Sequence, residues 1–255
     1  MLRAVLVAGV LFAGYTYLKN NPTSLEEFAR ELPAVEAASL VSFSNLPANL
    51  NTKPFSQAKQ DALEIYADRR ETFYCGCGFT EKGLVKTGNC GYLPRKNPSR
   101  GKRIEWEHVM PAYRFGHERS CWRQGGRDHC RKADAEFRAM EGDLHNLVPA
   151  IGELNGDRAH FDFAELADEP RDYGRCDFEV DAGRKLAEPR PEIRGDIARI
   201  YFYMAHTYGL TFTREELERF TRWAEEDQVD DWERERNRRI QQIQGNGNPY
   251  IPDAG

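Results

Sequence analysis

Hydrophobic residues are distributed in two different ways along the chain. Near the N-terminus, residues 4–15 form a continuous apolar run between Arg3 and Lys19. A run of this length is typical of a signal-peptide core and is short for a membrane span. No Ala-x-Ala cleavage site follows, so an uncleaved N-terminal anchor is an alternative to a cleaved signal. We therefore assign residues 1–19 to export, and the proline-punctuated residues 20–54 to a spacer.

Beyond this spacer, apolar positions recur with the period of an α-helix. Helices are predicted over residues 56–72, 192–208, 213–226 and 230–244. In the first of these, Ala58, Ala62 and Ile65 share one face, which indicates an amphipathic packing helix. The aromatic side chains of the second are assigned to the core. These patterns predict strong helical content.

Other segments favour strands and turns. Residues 73–90 are rich in glycine, cysteine and aromatic residues and have no long period, which indicates short strands and turns held by disulfides. Residues 147–150 form a short apolar run that predicts a strand, and a helix that carries Asn155 is predicted to begin near Ile151. The chain is therefore expected to be a single α+β domain, mostly helical.

Two stretches carry the residues with chemical potential. Residues 103–112 set Glu107 and His108 at the end of an apolar run that Pro111 stops, and residues 143–158 supply Asn146 and Asn155. Neighbouring side chains of a strand point to opposite faces, so Glu107 and His108 serve one site only from a bent strand end. An imidazole base beside carboxylate and carboxamide oxygens predicts a hard-oxygen metal site with a proton acceptor.

Charge changes this picture only locally. The 255-residue chain has a net charge of −5, which by itself does not indicate a nucleic-acid binder. Between residues 94 and 132, however, eleven lysines or arginines stand against four acids, a local charge of +7 around the Glu107–His108 pair. Clustered arginine around a candidate site predicts phosphate binding.

The cysteines indicate an oxidising compartment. There are six, at Cys75, Cys77, Cys90, Cys121, Cys130 and Cys176. An even count behind an apolar N-terminus favours disulfides, and the spacings are not those of the usual zinc modules. Cys121 and Cys130 are expected to pair and to close a small loop. The pairing of Cys75 and Cys77 with Cys90 and Cys176 stays open.

Several blocks in this order resemble one known family. They are E-W-E-H-V-M-P-A, the Cys121–Trp122 pair, H-N-L-V-P-A-I-G-E-L-N-G-D-R, R-G-D-I-A-R-I-Y-F-Y-M and Q-G-N-G-N-P-Y. Together they are similar to the bacterial endonuclease I family over about residues 55–250. The resemblance implies a disulfide-stapled nuclease domain with a ββα-metal (His-Me finger) core, flanked by a tail at 251–255.

The resemblance also implies a function and a role for each matching residue. It predicts a metal-dependent, non-specific endonuclease that hydrolyses DNA to 5′-phosphate products, with RNA as an open second substrate. His108 matches the general base, Glu107 and Asn155 match ligands of Mg²⁺ (with Ca²⁺ or Mn²⁺ as substitutes), and Arg127 matches an arginine that contacts phosphate. Asn146 is expected to orient His108 or its loop, with a turn-capping role as the alternative.

Two other classes of function compete with this interpretation. A zinc hydrolase lacks support, because no H-E-x-x-H motif is present. A non-catalytic, disulfide-stapled surface module that binds DNA would explain the basic window, but it has no need of Glu107, His108 and Asn155 together. We expect a periplasmic or secreted monomer. The remaining histidines, His117, His129, His160 and His206, are assigned to structure or surface.

Overall fold

The fold is described by a computed structural model over residues 53–88, 90–167 and 170–253. The predicted export segment and nearly all of the predicted spacer lie outside these residues. The α-helices are α1 (Phe55–Ile65), α2 (Pro98–Gly101), α3 (Ala112–Gly116), α4 (Ser120–Ala133), α5 (Ala135–Glu141), α6 (Gly152–Arg158), α7 (Arg194–Tyr208), α8 (Arg214–Glu226) and α9 (Asp231–Gln244). The strands are β1 (Ile104–His108), β2 (Leu147–Ile151), β3 (Asp162–Phe163), β4 (Phe178–Asp181) and β5 (Leu186–Pro189).

Strands β1 and β2 form an antiparallel pair that leads directly into α6. The register places Ile104 opposite Ile151 and His108 opposite Leu147. Every residue of β2 is buried, as expected for a strand covered on both faces. Helix α6 begins at Gly152, immediately after β2, and packs against both strands. The predicted strand and the following helix with Asn155 are thus confirmed.

A second, three-stranded sheet lies between the β1–β2 pair and the C-terminal helices in sequence. Strand β5 is central, parallel to β3 and antiparallel to β4. The chain is therefore α+β, with small sheets among many helices.

The core is organised around α7. Ile197, Tyr201 and Met204 of this helix are each at most 1% exposed. They belong to one cluster with Phe137 of α5 and Trp223 of α8. Burial of each such side chain contributes about 1.5–3 kcal/mol relative to exposure. The assignment of the α7 aromatics to the core is confirmed.

Helices α8 and α9 begin where their caps place them. The Thr213 and Asp230 side chains each accept a hydrogen bond from the backbone N–H three residues on, and Glu216 and Glu233 complete the two capping boxes. A cap of this kind is worth about 1 kcal/mol. Both predicted segments match these helices, with the first residue of each acting as cap.

Helix α1 is shorter than predicted. Ala58, Ala62 and Ile65 form its buried face as expected, but the helix ends at Ile65 rather than at residue 72. Beyond it, Glu71 bridges to Gly78 as an isolated antiparallel pair, and the Phe73 N–H donates to the carbonyl of Pro149. The chain leaves the helix because these tertiary hydrogen bonds hold it extended.

All six cysteines are joined in disulfides. The pairs are Cys75–Cys176, Cys77–Cys90 and Cys121–Cys130. The predicted Cys121–Cys130 bridge is present, but the segment it closes is not a plain loop. It is α4, a helix kinked at Gly125 and Gly126, where Gly126 has φ +66° and so takes a conformation that favours glycine.

No helix in the part of the chain that the structure describes has the length and apolar character needed to cross a membrane.

Candidate active site

The candidate site is built around the end of β1, where two adjacent side chains diverge. Glu107 lies on the face of β1 that meets Arg158 of α6, whereas His108 lies on the face that meets Phe55 of α1. This divergence follows from the alternation of side chains along a strand. The two predicted site residues therefore reach their partners from opposite faces of the strand end.

His108 is buried and held through one ring nitrogen. Its Nε2 lies 2.8 Å from the backbone carbonyl oxygen of Glu141. A carbonyl can only accept, so Nε2 carries the proton and Nδ1 is left with a lone pair. Burial, reinforced by the nearby Arg127 charge, lowers the pKa of His108 to about 3. At neutral pH the imidazole is therefore uncharged and able to accept a proton at Nδ1.

Arg127 contacts that unprotonated nitrogen. Its Nη2 is 3.5 Å from Nδ1 of His108, while its Nε donates to the Glu141 carboxylate at 2.6 Å. Arg131, one turn further along α4, also donates to this carboxylate, at 2.8 Å. Glu141 is 1% exposed, whereas the side chains of both arginines keep more than a third of their surface exposed. A buried carboxylate thus presents two partly exposed guanidinium groups at the site.

Phe55 forms a lid of apolar surface over this group. Its ring lies 4.8 Å from the imidazole of His108, and the guanidinium groups of Arg127 and Arg131 lie 5.7 and 6.0 Å from its centre. Cations over an aromatic face are attracted to it, and the ring also shields the imidazole from water. The first residue of α1 therefore helps to bury the His108 imidazole.

Glu107 is held by two donors at a single oxygen. The Tyr74 hydroxyl donates to Oε1 at 2.8 Å, and Nη1 of Arg158 donates to the same atom at 2.9 Å. The second oxygen, Oε2, accepts no hydrogen bond from the residues that the structure describes. Burial raises the pKa of the Glu107 carboxyl, and the ion pair with Arg158 opposes this rise. Oε2 is therefore a carboxylate oxygen available to a further ligand.

Asn155 of α6 lies on the same side of the β1–β2 pair as Glu107. Its Nδ2 lies 3.4 Å from Oε2 of Glu105, which shares a strand face with Glu107. A carboxylate accepts only, so this contact orients the amide with Oδ1 directed elsewhere. Oδ1 accepts no hydrogen bond from the described residues. Glu107 and Asn155 make no hydrogen bond to each other, but each keeps one oxygen free.

Arg100 secures this side of the site. Its guanidinium binds both oxygens of Glu105, through Nε at 2.8 Å and Nη2 at 2.6 Å. A side chain at Gly156 would collide with the same guanidinium, because an added Cβ would lie 2.1 Å from its Nη1. The glycine that follows Asn155 in α6 therefore makes room for Arg100.

Arg158 is a site residue that the sequence interpretation missed. It is completely buried, and its guanidinium donates to Glu107 and to the carbonyl oxygens of His108 and Val109. The only signal in the sequence is its place three residues after Asn155 in the G-D-R segment. Its guanidinium fixes both the Glu107 carboxylate and the backbone at the end of β1.

Asn146 positions the chain just after His108. Its Oδ1 accepts from the Met110 N–H at 2.7 Å, and its Nδ2 donates to the Met110 carbonyl at 2.9 Å. It contacts the loop after β1 rather than the imidazole of His108. Its neighbour His145 faces the other way, with Nε2 3.0 Å from the carbonyl oxygen of Asn246.

The basic window carries less free charge than its sequence count predicts. Most of its arginines form ion pairs with carboxylates, namely Arg95, Arg100, Arg103, Arg114, Arg119, Arg127 and Arg131. Several of these carboxylates lie outside the window, such as Asp134, Glu141 and Glu216. The positive charge of this window is therefore carried by partly exposed, paired arginines such as Arg127 rather than by a field of unpaired charge.

The described residues contain no group of three or more His, Cys, Asp or Glu side chains that could hold a metal ion. The cysteines are all in disulfides, which removes the zinc alternative for them. What the site offers is one carboxylate oxygen and one carboxamide oxygen. This donor set fits Mg²⁺, which is usually held by one or two protein groups and keeps several waters.

Comparison with known proteins covers most of the chain. Residues 42–254 match the family model described as Endonuclease I. An extracellular deoxyribonuclease of Aeromonas hydrophila is 47% identical over 205 residues, which are 79% of this chain and 89% of the relative. A periplasmic deoxyribonuclease of the same species is 47% identical over 201 residues, 77% of this chain and 84% of the relative. Endonuclease-1 of Buchnera aphidicola subsp. Acyrthosiphon pisum is 45% identical over 200 residues, 77% of this chain and 80% of the relative.

Proposed function

The chain is an endonuclease of the endonuclease I family, and we propose that it hydrolyses DNA with His108 as general base and Mg²⁺ as cofactor. The β1–β2 pair followed by α6 would form the ββα-metal, or His-Me finger, core. Residues 55–250 would constitute the nuclease domain. The alternative, a non-catalytic DNA-binding module, does not explain why the buried, uncharged imidazole of His108 lies next to Arg127, whose guanidinium a buried carboxylate holds in place.

The state of the His108 imidazole is the observation that carries this proposal. The Nε2–H of His108 donates a hydrogen bond to the carbonyl of Glu141, and burial keeps the ring uncharged at neutral pH. Nδ1 is therefore an acceptor that can take the proton of an attacking water. A purely structural histidine would not need an arginine next to its unprotonated nitrogen.

Arg127 would contact the phosphate that this water attacks. Its Nε is committed to Glu141 and one Nη2 hydrogen to Nδ1 of His108, so Nη1 and the second Nη2 hydrogen are left to face the substrate. A guanidinium held by a buried carboxylate keeps its donors in a fixed direction, which suits the two oxygens of a phosphate. It would stabilise the negative charge both in the bound substrate and in the transition state.

Glu107 Oε2 and Asn155 Oδ1 would hold the Mg²⁺ ion. When bound, Mg²⁺ supplies charge neutralisation at the phosphate and at the departing oxygen. Arg158 and Tyr74 keep the Glu107 carboxylate in place through Oε1, and Glu105 keeps the Asn155 amide in the orientation that exposes Oδ1. The protein's role at this position is therefore to orient these two oxygens towards the ion.

The products would carry 5′-phosphates, and recognition would not depend on base sequence. Contacts through arginine to phosphate carry no sequence information. We place the protein in the periplasm or outside the cell as a monomer. Two of its relatives are named as extracellular and periplasmic deoxyribonucleases, and three disulfides suit an oxidising compartment.

A plasmid-nicking assay tests the proposal. With Mg²⁺, the protein should convert supercoiled plasmid to nicked and then linear forms, and EDTA should stop the conversion. DNA ligase should reseal the nicks, because it requires a 5′-phosphate beside a 3′-hydroxyl. Nicking that persists in EDTA would contradict the metal assignment, and nicks that resist ligase would contradict the product assignment. Absence of nicking with Mg²⁺ would overturn the function itself.

A further inference from the structure

Three aromatic rings contact one another at the surface, outside the residues assigned to catalysis. The Tyr113 ring packs against two imidazoles. It is stacked on that of His117 at 4.5 Å with planes 10° apart, and it is tilted against that of His160 at 4.4 Å with planes 32° apart. We call these three rings the aromatic column. None of the three was given a role by the sequence beyond structure or surface.

The aromatic column is exposed to solvent although its rings pack against one another. Tyr113 is 43% exposed, and His160 is also exposed. Rings that pack in a core are stabilised mainly by burial of apolar surface. Because these rings are partly exposed, burial contributes less to their packing. Trp122 supports the column from below, edge-on to Tyr113 at 6.0 Å and packed in turn on Phe137. The column is thus a surface feature with a rigid base.

Both halves of the catalytic core lead directly into the aromatic column. Tyr113 follows His108 by five residues, and His160 follows Asn155 by five residues. Five residues span at most about 18 Å, because an extended chain rises about 3.3–3.6 Å per residue. Along a DNA strand this is about five nucleotides at 3.4 Å each. A strand whose phosphate lies at His108 would therefore bring neighbouring bases within reach of the column.

The two ends of the aromatic column have different neighbours. At the His117 end, the carboxylate of Glu118 lies 3.7 Å from Nε2 of His117, and its side chain is 81% exposed. An exposed carboxylate repels the phosphates of a nucleic acid. At the His160 end, the nearest ring is Phe161, at 5.9 Å with its plane 69° from that of the imidazole. Phe161 therefore borders the imidazole without stacking parallel to it.

We propose that the aromatic column binds an unpaired nucleobase close to the cleaved phosphate, with the base extending the stack at the His160 end. Bases stack on exposed aromatic side chains whatever their identity, because every base has a π-face. In an intact duplex both faces of each base are already stacked on neighbours, so only an unpaired base is free to do this. The inference rests on the proposed function, and it adds a preference for gaps, ends or single strands.

Binding to single strands with and without bases tests this directly. The probes are a 12-nucleotide DNA strand and a strand of equal length made of abasic residues, with EDTA present to prevent cleavage. Wild-type protein should bind the base-bearing strand more tightly. His160→Ala should reduce this preference by about fivefold or more, the lower end of the effect of removing one stacking ring. His160→Phe should keep the preference, because it restores a ring.

Two controls separate stacking from other effects. His206→Ala removes another exposed imidazole, one on α7, and should behave as wild type. A fully paired duplex should bind wild type and His160→Ala equally. If His160→Ala kept the preference for base-bearing strands, or weakened binding to abasic and base-bearing strands alike, the proposal would be overturned.

The outcome is independent of the proposed catalytic chemistry. The binding preference is measured without metal, whereas nicking of plasmid is measured with Mg²⁺. Wild-type protein that shows the preference but no nicking would refute the proposed function and leave the aromatic column standing. Loss of the preference for base-bearing single strands by His160→Ala, together with unchanged binding of the fully paired duplex, is the expected combination.

Discussion

Glu141 is bound to His108 through its backbone and to Arg127 through its side chain. The carbonyl oxygen lies 2.8 Å from Nε2 of His108, and the carboxylate lies 2.6 Å from Nε of Arg127. One residue therefore fixes the tautomer of the His108 imidazole and the direction of the arginine beside it. Because the two contacts use different atoms of Glu141, substitutions can separate the two roles.

Replacing His108 by alanine should remove most turnover and leave DNA binding almost unchanged. A general base acts in the transition state and contributes about 10²–10⁴ in rate. The measurement is plasmid nicking with Mg²⁺ beside binding of a duplex in EDTA. Wild-type nicking by His108→Ala would show that the proton acceptor is another group.

Replacing Arg127 by alanine should weaken both binding and turnover, because a phosphate contact acts on the substrate and on the transition state alike. The dependence of binding on salt should also fall by about one unit of slope, the contribution of one neutralised phosphate. Arg123→Ala is the matched control, since Arg123 lies on the same helix and donates to the carbonyl of Glu118 instead. An unchanged salt slope in Arg127→Ala would contradict the phosphate contact.

The parts of the site that the sequence predicts are those defined by local pattern. The strand at 147–150, the helix with Asn155 and the end of β1 at His108 each follow from a short run of apolar and polar residues. Glu141 has no such signature, because its contact with His108 uses a backbone carbonyl, which any residue type provides. Its partners become neighbours only when the fold joins segments 33 residues apart along the chain.

Long side chains and long-range pairing account for what the sequence does not predict. Arg158 follows Asn155 in the chain, yet its partner Glu107 lies 51 residues away, so its role depends on how α6 packs on β1. Helix α1 ends early because Glu71 and Phe73 hydrogen-bond to distant backbone groups. The two-residue strand β3 is too short to show a period of two and pairs only through β5.

The disulfides should divide into one that matters most for stability and one that matters for the site. Cys75–Cys176 closes a loop of 101 residues, for which the chain-entropy contribution is about 4.7 kcal/mol, whereas Cys121–Cys130 closes only 9 residues and contributes about 2.6 kcal/mol. The shorter bridge, however, joins the two parts of α4 on either side of the kink that precedes Arg127. Replacing Cys121 and Cys130 by serine should therefore lower turnover even under conditions in which the variant remains folded.

Urea unfolding and plasmid nicking of the two double-serine variants measure this difference. The Cys75–Cys176 variant should lose more free energy of unfolding, and the Cys121–Cys130 variant should lose more turnover under conditions where it is folded. Reduction of the wild-type protein should inactivate it by loosening the scaffold, since no cysteine is a catalytic thiol in this scheme. Free thiols at Cys121 and Cys130 in the native protein would contradict this account.

His145 should make the fold sensitive to mild acid. It is completely buried, its Nε2–H donates to the carbonyl of Asn246, and its Nδ1 has no hydrogen-bond partner among the residues that the structure describes. Burial lowers the pKa of His145 from 6.5 to about 4. Between these two values the unfolded chain binds more protons than the folded one, so stability falls as the pH falls from 6.5 towards 4.

The expected loss from His145 alone is about 2 kcal/mol between pH 7 and pH 4.5, because one unit of pKa shift corresponds to about 1.4 kcal/mol. His108, with its own lowered pKa, contributes in the same direction, so the comparison must be made by difference. His145→Gln keeps an N–H donor for the carbonyl of Asn246 but cannot titrate. Its free energy of unfolding in urea should therefore change less between the two pH values than that of wild type. If both proteins lost the same free energy, the acid sensitivity would have to come from other groups, since the only titrating group removed is this imidazole.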